Sequence, residues 1–100
     1  MAERYKVEFT ERAVAHLEQF PKRMRNVILD NVRGQLPYQP NVETKNRKLL
    51  RESALADWEL RVGRYRVFYD IDENAHVVRV VAVGHKEHNE LYIEGEKFEL

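Results

Sequence analysis

The stretch WELRVGRYRVFYDID, from Trp58 to Asp72, decides how this 100-residue chain is read. Trp58, Leu60 and Val62 alternate with Glu59 and Arg61, and Tyr65, Val67 and Tyr69 alternate with Arg66, Phe68 and Asp70. That is the period of two strands, each with one buried face. Gly63-Arg64 between them is a two-residue turn with glycine in first place, as a type II′ hairpin requires. The loop length sets the register: Val62 opposite Tyr65, Leu60 opposite Val67, Trp58 opposite Tyr69, three apolar pairs on the face that meets the core. The same register sets Arg61 directly opposite Arg66 on the other face. Two opposed cations repel, and a local rule broken without a structural gain marks where function is expected.

Downstream, a turn at Asp72-Glu73-Asn74-Ala75 leads into HVVRVVAVG, His76 to Gly84, apolar on both sides as a central strand should be. Continuing the alternation puts Arg66 opposite Val81 and brings His85 onto the face of Arg66. The outer face is therefore expected to carry Glu59, Arg61, Arg66, Phe68 and His85. The tail HKEHNELYIEGEKFEL is assigned no structure, and its Phe98 and Leu100 are expected to clamp over Val81 and Val83.

Upstream, Tyr5, Val7 and Phe9 alternate with Lys6 and Glu8, which predicts a strand. Thr10 is placed to cap a helix from Glu11 in which Ala13, Val14, Leu17 and Phe20 recur at helical spacing. Pro21 ends it and opens a second, with Met24, Val27, Ile28, Val32 and Leu36 as its apolar stripe and Lys22, Arg23, Arg25 and Arg33 opposed. From Pro37 to Asn46 the chain reads as loop. The whole is one α+β domain, residues 1–100, of order β-α-α-β-β-β plus tail: a small antiparallel-rich sheet on a helical hairpin.

Composition bounds the chemistry. Hydrophobic residues are 43% and charged ones 34%, with no apolar run long enough for a bilayer, so a membrane partner is not expected. The absence of cysteine excludes disulfides and thiolate catalysis. The start, MAERYKVEFTERA, has neither the basic region nor the apolar stretch of a signal peptide, so the expected location is cytoplasmic. The zero net charge hides an asymmetry: 14 Lys and Arg against 9 acids through Tyr69, then 3 against 8. Four of those cations, Lys45, Arg47, Lys48 and Arg51, fall in KNRKLLR just before the hairpin, where they suit an RNA backbone through counterion release. His85, His88 and Glu90 lack a spacing that would enforce metal ligation, and no metal or cofactor is expected. His16 and His76 read as surface residues.

YKVEFTERAVAHLEQF, the paired helices, LRVGRYRVFYDI and VGHK-x-x-x-x-x-Y together resemble the RelE/ParE superfamily of type II toxin–antitoxin toxins, from about Tyr5 to Tyr92. The resemblance implies a small sheet on a helical hairpin, a cognate antitoxin that blocks the concave face, and, in many members, metal-free cleavage of messenger RNA in the ribosomal A site. It implies that Arg66, in Gly-x-Tyr-Arg, holds the scissile phosphate, and that Arg61 is the basic residue beside it. His85 and Lys86 fall where members carry basic or histidine catalytic groups, and Tyr92 matches the tyrosine that stacks on a base. Glu59 stands where the best-known ribosome-dependent member has lysine; other members use glutamate as base.

The chemistry fits these residue types. RNA cleavage without metal needs the 2′-hydroxyl deprotonated, the phosphorane stabilised and the 5′-oxygen protonated. Histidine suits proton transfer, and two guanidiniums suit the nonbridging oxygens. His85 is thus expected as acid or base with Glu59 as partner, Arg66 and Arg61 at the phosphate, Tyr92 under a base and Lys86 in a secondary role. Two alternatives stand beside this: a ParE-like toxin that inhibits DNA gyrase and cuts nothing, and a catalytically inert module that only binds an antitoxin.

Overall fold

A computed structural model describes residues 4–99. Thr10 separates strand β1 (Lys6–Phe9) from helix α1 (Glu11–Glu18), its hydroxyl accepting the Ala13 N–H at the helix start. Pro21 then opens α2 (Lys22–Gln35), its carbonyl taking the N–H groups of Met24 and Arg25. Ala13 and Leu17 of α1, with Ile28, Val32 and Leu36 from α2 and its end, are buried against one face of a sheet. Each such large side chain contributes about 1.5–3 kcal/mol by leaving water. Val14 and Val27 instead lie outside the core, 42% and 40% exposed.

Strands β3 (Trp58–Val62) and β4 (Tyr65–Asp72) pair as their alternation requires: Trp58 with Tyr69, Leu60 with Val67, Val62 with Tyr65, and Arg61 with Arg66. Gly63 has φ 58°, the positive value that the first position of a type II′ turn needs. On the helix side Leu60, Val62, Tyr65, Val67 and Tyr69 join the helical residues in one core. The hydroxyl of buried Tyr69 donates to the Pro40 carbonyl, and burial raises its pKa.

Three strands lie where the sequence reading had none. β2 (Arg47–Leu49), within the basic stretch, pairs with β3 at the sheet edge. The tail continues β5 (Val77–Glu87) through β6 (Glu90–Ile93) to β7 (Glu96–Phe98). Both tail turns are two-residue turns with positive φ at each position: His88 and Asn89 (53° and 66°), then Glu94 and Gly95 (55° and 77°). That is the type I′ form which keeps twisted strands together. Among the described residues one sheet runs β2-β3-β4-β5-β6-β7, with β1 parallel to β5. No helix of the described residues is long and apolar enough to cross a membrane.

The alternation fails at one point. β4 and β5 start in the expected parity, Asp72 opposite Val77, but the register shifts between Phe68 and Tyr69: Tyr69 faces Val80 while Phe68 faces Ala82. Val81 is the extra residue, and a single inserted residue exchanges the faces of everything beyond it. Arg66 therefore pairs with Gly84, not Val81, and His85 pairs with Tyr65 on the helix side. The expectation that His85 shares the face of Arg66 is overturned.

α1 supports the bulge. β1 stops pairing with β5 at Val80 and β6 begins only at His85, which leaves a gap along that edge. The N–H of Thr10 donates to the Val80 carbonyl, and the Val83 N–H donates to His16 Nδ1 at 3.0 Å. His16 is thus 2% exposed and structural, contrary to its reading as surface. His76 does not start a strand; it has φ 59° and stacks on Tyr5 at 3.9 Å.

The outer face has its own small core. Ala56, Phe68, Ala82, Leu91 and Ile93 are buried together, with Leu50, Leu55, Val81 and Phe98 packed on them. Phe98 covers the Val81 side as expected, but Val83 faces the helices; Leu100 lies outside the described residues.

Candidate functional site

Strand register sorts the predicted residues into two groups. Lys48, Glu59, Phe68 and Ala82 form one row across the outer face, and Arg61, Arg66 and Gly84 form the next. Lys86, two residues beyond Gly84 on β5, points the same way and lines an open cleft with Asn89, Leu91 and Phe98. The cations Lys48, Arg61, Arg66 and Lys86 therefore share a face.

Glu59 lies at their centre. Its side chain is 4% exposed, with Oε2 3.3 Å from Arg61 Nε and Oε1 3.7 Å from Arg66 Nε. The first contact is a hydrogen bond; the second is not, and Arg66 Nε is buried with no hydrogen-bond partner. Arg66 Nη1 donates to the carbonyls of Gly63 and Tyr65, both at 2.8 Å, so the β3–β4 turn grips the guanidinium from the other side. Burial lowers the Arg66 pKa, Glu59 opposes that and Arg61 adds to it. A carboxylate thus offsets the repulsion between the two opposed arginines and holds them in place.

Phe68, expected as an RNA contact, is fully buried in the outer core and cannot stack on a base. Of the basic stretch, Lys45, Lys48 and Arg51 are exposed, whereas Arg47 turns to the Leu60 side and its Nε donates to the Val42 carbonyl.

The second group occupies the helix side of the same sheet end. His85 and Tyr92 are cross-strand partners, their rings stacked at 5.6 Å, and Phe20 stands edge-on to His85 at 6.4 Å and to Tyr65 at 5.2 Å. His85 Nε2 is 3.4 Å from a Glu87 oxygen. The Tyr92 hydroxyl donates to Glu90, a bond that raises its pKa. Aromatic pairs of this kind present a stacking surface, and the imidazole can move a proton. Arg66 and His85 lie close along the chain pairing but project to opposite sides.

The bulge at Val81 and the part played by His16 were not predicted. After Arg79 the run VVAVG carries no polar side chain, so no alternation within it reports an inserted residue.

Comparison with known proteins matches residues 7–90 to the family described as the ParE toxin of the type II toxin–antitoxin system parDE. The solved toxin–antitoxin complex RelBE2 of Mycobacterium tuberculosis is similar at 28% identity and TM-score 0.74, over 86% of this chain and 95% of that one. An E. coli toxin RelE mutant in complex with an antitoxin RelBc peptide is similar at 27% identity and TM-score 0.62, over 83% and 84%. The archaeal RelE–RelB complex of Pyrococcus horikoshii OT3, at 24% identity and TM-score 0.67 over 84% and 97%, shares the fold. A search of curated proteins finds no match.

Proposed function

The chain belongs to the ParE toxin family of type II toxin–antitoxin systems, within the RelE/ParE superfamily, and from that premise we propose that it is a messenger RNA endoribonuclease. It works in the cytoplasm on translated messages, in the ribosomal A site, and a cognate antitoxin restrains it. Toxin–antitoxin complexes among the similar structures support that partner.

The observation that carries the reading is the opposed Arg61–Arg66 pair, with Lys86 on the same face beyond Gly84. Cations held by a rigid hairpin offer a fixed site for charge that builds on a phosphorane. In the reaction the 2′-oxygen bonds to phosphorus as its proton passes to water, and the bond from phosphorus to the 5′-oxygen breaks. Arg66 and Arg61 hold the nonbridging oxygens, and the Lys86 ammonium gives the 5′-oxygen its proton. Lys86, the secondary candidate on sequence, takes the proton-donating role in place of His85 because it shares the arginines' face. Lys45, Lys48 and Arg51 extend the basic track. His85 and Tyr92 stack on a base where the strand rounds the sheet end, a contact worth about 1–3 kcal/mol.

A second reading is a gyrase-inhibiting toxin that cuts no RNA, and the separation of His85 from Arg66 favours it. Purified toxin distinguishes the two. Cleavage of a short message on ribosomes, with DNA supercoiling by gyrase unaffected, supports the nuclease. Intact RNA with inhibited supercoiling overturns it.

A further inference from the structure

We propose that Glu59 is an internal competitor for the phosphate site: its carboxylate occupies the place between Arg61 and Arg66 that a substrate phosphate takes, and so sets the affinity of the face for RNA. This deepens the reading of that face as a phosphate site and rests on it.

Glu59 bears the same single charge as a phosphodiester and two oxygens spaced to meet a pair of guanidiniums. One oxygen is bonded to Arg61 Nε at 3.3 Å, and the other stops 3.7 Å from Arg66 Nε. That Nε is buried with no hydrogen-bond partner, an expensive state for a charged donor. The carboxylate, fixed to β3 by a short side chain, leaves the Arg66 contact incomplete. A phosphate that displaces the carboxylate is not tied to β3, and can bring an oxygen to hydrogen-bond distance of that Nε. The arginines also outnumber the acid, so the cluster keeps a positive charge for an incoming anion.

A general base must reach the hydroxyl that it deprotonates. A carboxylate 4% exposed and flanked by both guanidiniums does not reach one. The geometry favours a counter-ion that substrate displaces over a base.

The experiment compares wild type with Glu59→Gln, which keeps shape and removes charge, in binding inorganic phosphate and a 2′-O-methyl RNA that cannot be cut. Glu59→Gln is expected to bind both about tenfold more tightly at fixed salt, and the gain disappears in Glu59→Gln with Arg66→Ala. The exchange also deprives two arginines of their counter-ion, so thermal unfolding is followed against phosphate concentration. Phosphate should raise the midpoint of Glu59→Gln more than that of wild type. Equal or weaker binding by Glu59→Gln, or no extra stabilisation of it by phosphate, overturns the proposal. Neither readout depends on cleavage, so tighter phosphate binding by a variant of a protein that cuts nothing would uphold this inference while the nuclease reading fell.

Discussion

His85 lies opposite Tyr65 across β4 and β5, while Arg66 lies opposite Gly84. That offset puts the imidazole behind the sheet from the arginines and leaves Lys86 beside them. Lys86→Ala should weaken binding of an uncleavable single-stranded RNA and reduce the slope of log affinity against log salt by about 0.7, the share of one lost phosphate contact. His85→Ala should leave that slope unchanged. Fluorescence anisotropy over a range of salt concentrations measures both.

His16 accepts the Val83 N–H in the gap between β1 and β6. His16→Ala strands a buried donor and leaves a cavity, and should cost about 2–4 kcal/mol in denaturant unfolding. His16→Asn, whose amide oxygen can stand in for Nδ1, should cost less.

The same bond fixes a pH dependence. With Nδ1 accepting, the ring is neutral, and burial holds the His16 pKa below its ordinary 6.5, against the pull of Glu94. The unfolded chain therefore takes up this proton more readily than the folded one. The His16 contribution to stability is full above about pH 6.5 and falls as pH drops from there toward the lower folded pKa, below which the loss levels off. Unfolding titrations from pH 7.5 to 5 should show that decline in wild type and a smaller one in His16→Asn.

A Cβ built on Gly84 would stand 2.5 Å from the Tyr92 carbonyl oxygen and 2.9 Å from Ile93. Gly84→Ala should therefore push β6 away from β5 and destabilise by about 1–3 kcal/mol. Hydrogen exchange should show the loss of protection concentrated at Leu91 and Ile93.

The pairing of the β3–β4 hairpin was legible because Gly63-Arg64 admits one loop length and each strand has one face that is apolar throughout. That made the Arg61–Arg66 opposition, and the presence of Glu59 on the same face, readable in one dimension; Glu59 as partner of His85 was not sustained, since His85 lies on the other side. β5 was legible as a central strand but not in its register, since Val80, Val81 and Val83 would suit either face. What fixes the bulge comes from α1, through Thr10 and His16, and tertiary contacts of that kind leave no period in the sequence. Phe68 read as a surface aromatic because its cover comes from Ala56, Leu91 and Ile93, on segments whose fold was not assigned. The tail strands depend on left-handed residues at His88 and Glu94, which are not the usual occupants of such turns.

The most direct measurement is primer extension on messages from cells induced for wild type, Arg66→Ala, Lys86→Ala or His85→Ala, with each variant confirmed as folded. Discrete cuts should appear with wild type, vanish with Arg66→Ala, fall steeply with Lys86→Ala and persist with His85→Ala. Growth arrest with intact messages, or cuts that survive Arg66→Ala, would contradict RNA cleavage at the arginine face.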